Sequence, residues 1–229
     1  MARYWPWLAG RLISTPLGGA NSTMRAPCLS HEPVLKQALK EDWDALAPVI
    51  RAHYGLAPFT TQQVRLQGKM HHVSHSPLAN LLIPFARLAG ALIPYQGHDV
   101  PVHVVNRSLS NRPNYYWERV FFFPGRRPFE FASSMVFTGD HEITEYTRFG
   151  FGIRLGLSVN RGGLIERDRG YVLTIGRISI HLPLNLTMGW VSIEERPVSA
   201  TEFDMEMTLR HPLFGQTFAY DGTFAVVSE

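Results

Sequence analysis

Tyr115, Trp117, Arg119, Phe121 and Phe123 alternate with Tyr116, Glu118, Val120 and Phe122. In a β-strand, successive side chains point to opposite faces, so this spacing makes one face aromatic with a single guanidinium set into it. If that face is internal, Arg119 needs an acid or an anionic ligand, because an unpaired buried charge is very costly. Glu145 is the expected acid. Trp117, Arg119, Phe121 and Glu145 are accordingly the candidate ligand-binding residues.

Other residues offer weaker chemistry. Glu194–Glu195 and the pair Glu142/Glu145 could supply general acid–base carboxylates, but they read more simply as solvated strand faces or structural ion pairs. His71, His72 and His75 cluster, yet adjacent strand residues diverge, so His71 and His72 do not readily share a metal. They read as an exposed polar turn. His211 stands before Pro212 and reads as a turn residue, and no spacing of Ser, His and Asp suggests a nucleophilic triad. No phosphate loop, dinucleotide fingerprint, paired-His zinc helix or nucleophile elbow is present. Cys28 is the one cysteine, which excludes an intramolecular disulfide and a cysteine-built zinc site. No cofactor, metal or catalytic residue is implied.

The elements that must position these residues follow from periodicity. Leu35, Leu39, Trp43, Leu46 and Ile50 form one apolar stripe, which predicts an amphipathic helix over Ser30–Tyr54. Ser30 is its expected cap and Gly55 its end, with a kink near Ala47 because of Pro48. Gln63–Val73 is a candidate strand with Val64, Leu66 and Gly68 on one face. Ser76–Pro77 opens a second helix, Leu78–Ile93, apolar nearly all round and kinked at Pro84. It reads as a core helix wrapped by sheet.

From Pro101 the period becomes two. Candidate strands are Val102–Leu109, Tyr115–Phe123, Phe129–Phe137, His141–Phe149, Gly152–Asn160, Gly163–Asp168, Tyr171–Ile180, Gly189–Glu195, Glu202–Arg210 and Gln216–Val226, separated by Gly-, Pro- and Asn-containing turns. Short gaps demand antiparallel hairpins, and a meander this long curls. The fold class is α+β and β-rich: a long antiparallel meander forming a strongly curved sheet or barrel, packed with the kinked apolar helix and the N-terminal amphipathic helix. Apolar rows at Phe203–Met205–Met207–Leu209, Phe218–Tyr220–Phe224 and Phe149–Phe151–Ile153–Leu155–Leu157 either fill a core or line a cavity.

The 229 residues suit a single β-rich domain over 24–229, behind a disordered leader at 1–23 that lacks the unbroken apolar run of a secretory signal. A rival reading makes that leader an interfacial anchor. Apolar residues are 45% and charged residues 18% of the chain, enough for a sizeable core and too little charge for a disordered chain. The net charge is +3, with 14 cations and 7 acids up to residue 130 and 8 cations and 12 acids after it. No dense basic stripe appears, so no nucleic-acid partner is expected. A cytoplasmic location follows, with peripheral membrane contact as a further expectation; the oligomeric state is left open.

Several pieces recur in a fixed order: Gly68 ahead of the apolar run ending Leu92–Ile93–Pro94, then Pro101–Val102, then Trp117 and Arg119 with Phe122. After the Glu145–Gly150 stretch come Leu182–Pro183–Leu184, Glu194, Phe203–Asp204, His211–Pro212–Leu213–Phe214–Gly215 and Tyr220–Asp221–Gly222. Over roughly Trp43 to Phe224 this order resembles the bacterial family called domain of unknown function 4166. The resemblance implies an architecture and no particular reaction.

Three functions fit these features. The first is a binding module holding an apolar or lipid-like ligand in a β-rich cavity. The second is an enzyme of the cyclase or isomerase type acting on such a ligand, with Arg119 and Glu145 in the cavity. The third is a domain that docks to a membrane surface or a partner through the apolar helix.

Overall fold

The computed structural model describes residues 30–77, 92–183, 185 and 188–227. The expected leader and the apolar run at 78–91 lie outside the described residues. The strands are β1 (Gln63–His75), β2 (Gly97–Leu109), β3 (Arg112–Phe121), β4 (Phe129–Gly139), β5 (Glu142–Tyr146) and β6 (Phe151–Asn160). They continue as β7 (Gly163–Ile175), β8 (Ile178–Leu182), β9 (Trp190–Pro197), β10 (Glu202–His211) and β11 (Gly215–Val227).

Neighbours run β6-β5-β4-β3-β2-β1-β11-β10-β9-β7, and β7 also pairs with β6. Ten antiparallel strands therefore close into a barrel. β8 lies outside the ring and pairs with the second half of β7, whose first half is joined to β9. Closure removes the exposed sheet edges that an open meander would leave. One close approach across the seam between β1 and β11 explains a glycine: Gly68 is paired with Phe224, and a Cβ on Gly68 would lie 2.4 Å from the phenyl ring. The ring occupies the space that a side chain would take.

Inside is apolar and outside is charged. Leu66, Met70, Val102, Phe121, Leu155, Leu164, Phe203, Leu209 and Phe218 are all buried. The outer face carries ion pairs between neighbouring strands, including Arg154–Glu142 at 2.8 Å and Arg196–Glu206 at 2.7 Å. This polarity is the reverse of a membrane-spanning barrel, which turns its apolar residues toward lipid. Among the described residues no helix is long and apolar enough to cross a membrane.

The N-terminal stretch caps one end of the barrel. It is split into α1 (Val34–Leu39), a 3-10 turn over Lys40–Ala45 and α2 (Pro48–Tyr54). The break falls at Leu46 and Ala47, both extended, as Pro48 demands. Pro33, and not Ser30, stands at the first helix's N-cap. Backbone bonds from Ala47 to Gly162 and from His141 to Ala38, each 2.8 Å, tie the helices to the strand ends.

Three further expectations are corrected. Tyr171–Ile180 is not one strand: β7 runs on through Asp168–Gly170 to Ile175, and the chain then reverses at Gly176–Arg177 into β8. The break expected between Asp168 and Tyr171 is a register shift opposite Arg154 and Leu155, pinned where Asp168 accepts from the Gly170 amide at 2.6 Å. Phe149 leaves its row; it takes φ 58° and is 70% exposed.

Candidate functional site

Alternation along ten strands brings the inward side chains to one chamber. Its walls are apolar, with Val102 and Val104 from β2, Trp117 and Phe121 from β3, Ile193 from β9, and Phe203, Met205, Met207 and Leu209 from β10. They leave a cavity of about 110 Å³. Five acidic or basic side chains reach it, Arg119, Glu145, Glu166, Glu195 and His53, beside the phenols of Tyr54, Tyr171 and Tyr220.

Arg119 and Glu145 meet as expected. Arg119 lies on β3 beside β4, and Glu145 on β5, the next strand round. The guanidinium Nη2 donates to Glu145 Oε1 at 2.9 Å and to the Ser133 hydroxyl, which in turn donates to the same carboxylate oxygen. Arg119 is also held between the rings of Trp117 and Phe131, its Cζ 4.7 and 4.3 Å from their centroids. Arg119 and Glu145 are 9% and 8% exposed, so the pair is desolvated and each charge depends on the other.

A second acid lies by the helices. Glu195 on β9 accepts from the Tyr54 hydroxyl at 2.9 Å, and its other oxygen is 3.4 Å from His53 Nδ1. Both partners come from the last turn of α2, whose placement is fixed where Tyr115 donates its hydroxyl proton to the His53 carbonyl. Burial, with Glu195 alongside, pushes the Tyr54 hydroxyl well above its usual range. Burial likewise raises Tyr220 to about 12. Both phenols stay neutral hydrogen-bonding groups.

Glu166 has no such support. It is the fourth residue of β7, shares a face with Leu164 and is 1% exposed. Neither of its carboxyl oxygens has a hydrogen-bond partner among the described residues. Burial first, then the nearby carboxyls of Glu195 and Glu145, push its carboxyl well above the usual value of 4.5; Arg119 opposes them less strongly. Burial without a partner favours the protonated form of Glu166.

The remaining sequence candidates fall outside this chamber. Glu194 points outward to Arg167 and Arg196, and Glu142 to Arg154. Glu195 is no solvated strand residue, in contrast to the simpler reading of its doublet. His71, His72 and His75 form no turn but lie in β1, where His72 meets Asp221 at 3.1 Å. His211 accepts from the Leu213 amide at 3.1 Å and so shapes the turn after β10. Among the described residues no group of His, Cys, Asp or Glu is arranged to hold a metal ion. Sequence reasoning missed His53, Tyr54 and Glu166. Leu164 shares a face with Glu166 and Ile165 with Arg167, so local spacing gave no signal for the last.

The description "Domain of unknown function (DUF4166)" matches residues 46–224, and the chain belongs to that family. No curated protein matches the chain by sequence. Among solved structures, the crystal structure of Rv2717c from M. tuberculosis is similar at 10% identity and TM-score 0.40, over 80% of this chain and 99% of that one.

Replacing Arg119 tests the buried pair. Arg119→Leu strands the Glu145 carboxylate and is expected to cost about 3–5 kcal/mol in chemical denaturation. Adding Glu145→Leu should recover much of that loss, since an apolar pair needs no counter-charge, whereas Arg119→Lys should rescue poorly for want of the planar fork. Additive losses in the double variant would refute the pairing as the reason Arg119 matters.

Proposed function

We propose that this member of the DUF4166 family binds a small, mainly apolar molecule inside its barrel, with Trp117, Arg119, Phe121 and Glu145 in the wall that meets it. One observation carries the reading: a cavity of about 110 Å³ with apolar walls holds a buried carboxyl, Glu166, that has no hydrogen-bond partner among the described residues. Filled cores are close-packed and pair their polar groups. A dry cavity of about 150 Å³ takes a benzene-sized ring, so the scale here suits a ring or a short branched chain. Arg119 is committed to Glu145 and Ser133, which favours a structural role for it over capture of an anionic head group.

The rim away from the helices supports a second reading, contact with an anionic bilayer. Phe149, Ile175, Ile178, Leu213 and Phe214 are all more than half exposed there. The turns at 122–128, 147–150, 175–178 and 211–215 contain Arg126, Arg127, Arg148 and Arg177 and no Asp or Glu. Apolar side chains beside cations suit an anionic interface, where each cation adds about 1 kcal/mol. A ligand drawn from a membrane would enter through such a rim.

Two experiments separate these readings. For the cavity, native mass spectrometry of the purified protein should show a retained small molecule, or small apolar rings such as cyclohexanol should raise the thermal midpoint. Neither a retained mass nor a shift with any ring would remove it. For the rim, vesicles containing phosphatidylserine should co-sediment the protein and phosphatidylcholine vesicles should not, with Ile178→Glu plus Leu213→Glu abolishing the difference. Equal binding to both, or to neither, contradicts it.

A further inference from the structure

The polar groups of the chamber do not balance. Three carboxyl groups, on Glu145, Glu166 and Glu195, share it with one guanidinium and one imidazole. Glu145 takes the Arg119 charge and Glu195 has Tyr54 and His53, which leaves Glu166 buried with no partner among the described residues. Trp117 Nε1 and Arg119 Nε are also buried without a partner among the described residues, but the acids outnumber the bases, so a ligand that brings both N–H donors and positive charge suits Glu166 best. An acidic ligand would add a fourth carboxyl to a chamber whose one guanidinium already balances Glu145 through Nη2. An alcohol could accept from Glu166 but would leave the acid surplus as it was. An alkylammonium supplies both N–H donors and charge, and charge-assisted bonds of this kind are the strong ones.

We infer that the cavity selects an apolar amine, its ammonium nitrogen held by the Glu166 carboxylate and its hydrocarbon body against the aromatic and aliphatic walls. This rests on the cavity reading above and names the ligand class. The proton balance is simple. The amine enters as the ammonium it is at neutral pH, Glu166 gives its proton to solvent, and an ion pair remains; no covalent bond changes. The groups facing Glu166 are Glu195 from β9, Glu145 from β5, Arg119 from β3 and Tyr220 from β11. His53 and Tyr54 of α2 and Tyr171 of its own strand also line the chamber.

The test uses three rings of one size on the full chain: cyclohexylamine, cyclohexanol and cyclohexanecarboxylate. Titration calorimetry is run in two buffers of different ionisation enthalpy. The amine is expected to bind at least about tenfold tighter than the alcohol, as a charge-assisted pair should, and the carboxylate weakest. Amine binding should release about one proton and alcohol binding none. Glu166→Gln should remove the amine's advantage and its proton release while cyclohexanol still binds. Equal affinity for amine and alcohol, tightest binding of the carboxylate, or proton release that persists in Glu166→Gln overturns the inference. If the alcohol binds and the amine does not, the amine inference alone fails; if no ring binds, the cavity reading fails with it.

Discussion

The pairing of β6 with β7 runs the whole length of β6, from Phe151 opposite Leu173 to Asn160 opposite Gly163. That ladder, together with the seam between β1 and β11, turns a meander into a ring. Closure pairs the edge amides and carbonyls of the two strands that an open sheet would leave exposed. It also fixes what every inward side chain faces. A polar residue on the inner face is held away from bulk water, so it is best satisfied by a partner across the chamber. The helices strengthen the constraint by closing one end with Val34, Leu35, Leu39, Val49 and Ile50 and by lowering His53 and Tyr54 into the interior.

Two of the three interior acids meet that demand. Glu145 has Arg119 and Ser133, and Glu195 has Tyr54 and His53. Glu166 meets it by staying protonated, which spares the larger cost of a buried anion. Because its folded-state pKa lies above the ordinary 4.5, the folded chain keeps a proton that the unfolded chain releases. Stability therefore falls as pH rises above that ordinary value and levels off once the folded-state pKa is passed. Keeping a carboxyl there is a standing cost, and a ligand that uses it offsets that cost. The same wall that makes Glu166 expensive makes it selective.

Much of this was legible in the sequence. Strict alternation in Tyr115–Phe123 and Phe203–Leu209 identifies inward faces, since one face of each is apolar and a single slip would expose it. The Arg119–Glu145 pair follows from the same alternation and from the cost of an unpaired charge. β7 was harder. Leu164, Ile165, Glu166 and Arg167 place an apolar and a charged residue on each face, so the pattern does not say which side is buried. Its continuity past Gly170 depends on Asp168, which accepts from the amides of Gly170 and Val191 and from Asn185. The bonds from Val191 and Asn185 come from distant parts of the chain and leave no trace in local spacing. Tyr54 extends the apolar stripe four residues past Ile50, whereas His53 lies beside it, and only the docking of that short helix on the barrel brings His53 to Glu195. Phe149 joins an apolar row by count, but its left-handed backbone breaks the strand period just before β6.

Everything above turns on Glu166 being a buried carboxyl that keeps its proton inside a closed barrel. Carbon-13 NMR of protein labelled at the glutamate carboxyl carbons measures this directly through a pH titration. One resonance is expected to remain in the protonated position at neutral pH and to vanish in Glu166→Gln. A titration in which every glutamate ionises near the ordinary value of 4.5, with no resonance lost at neutral pH in the variant's protonated region, would contradict it.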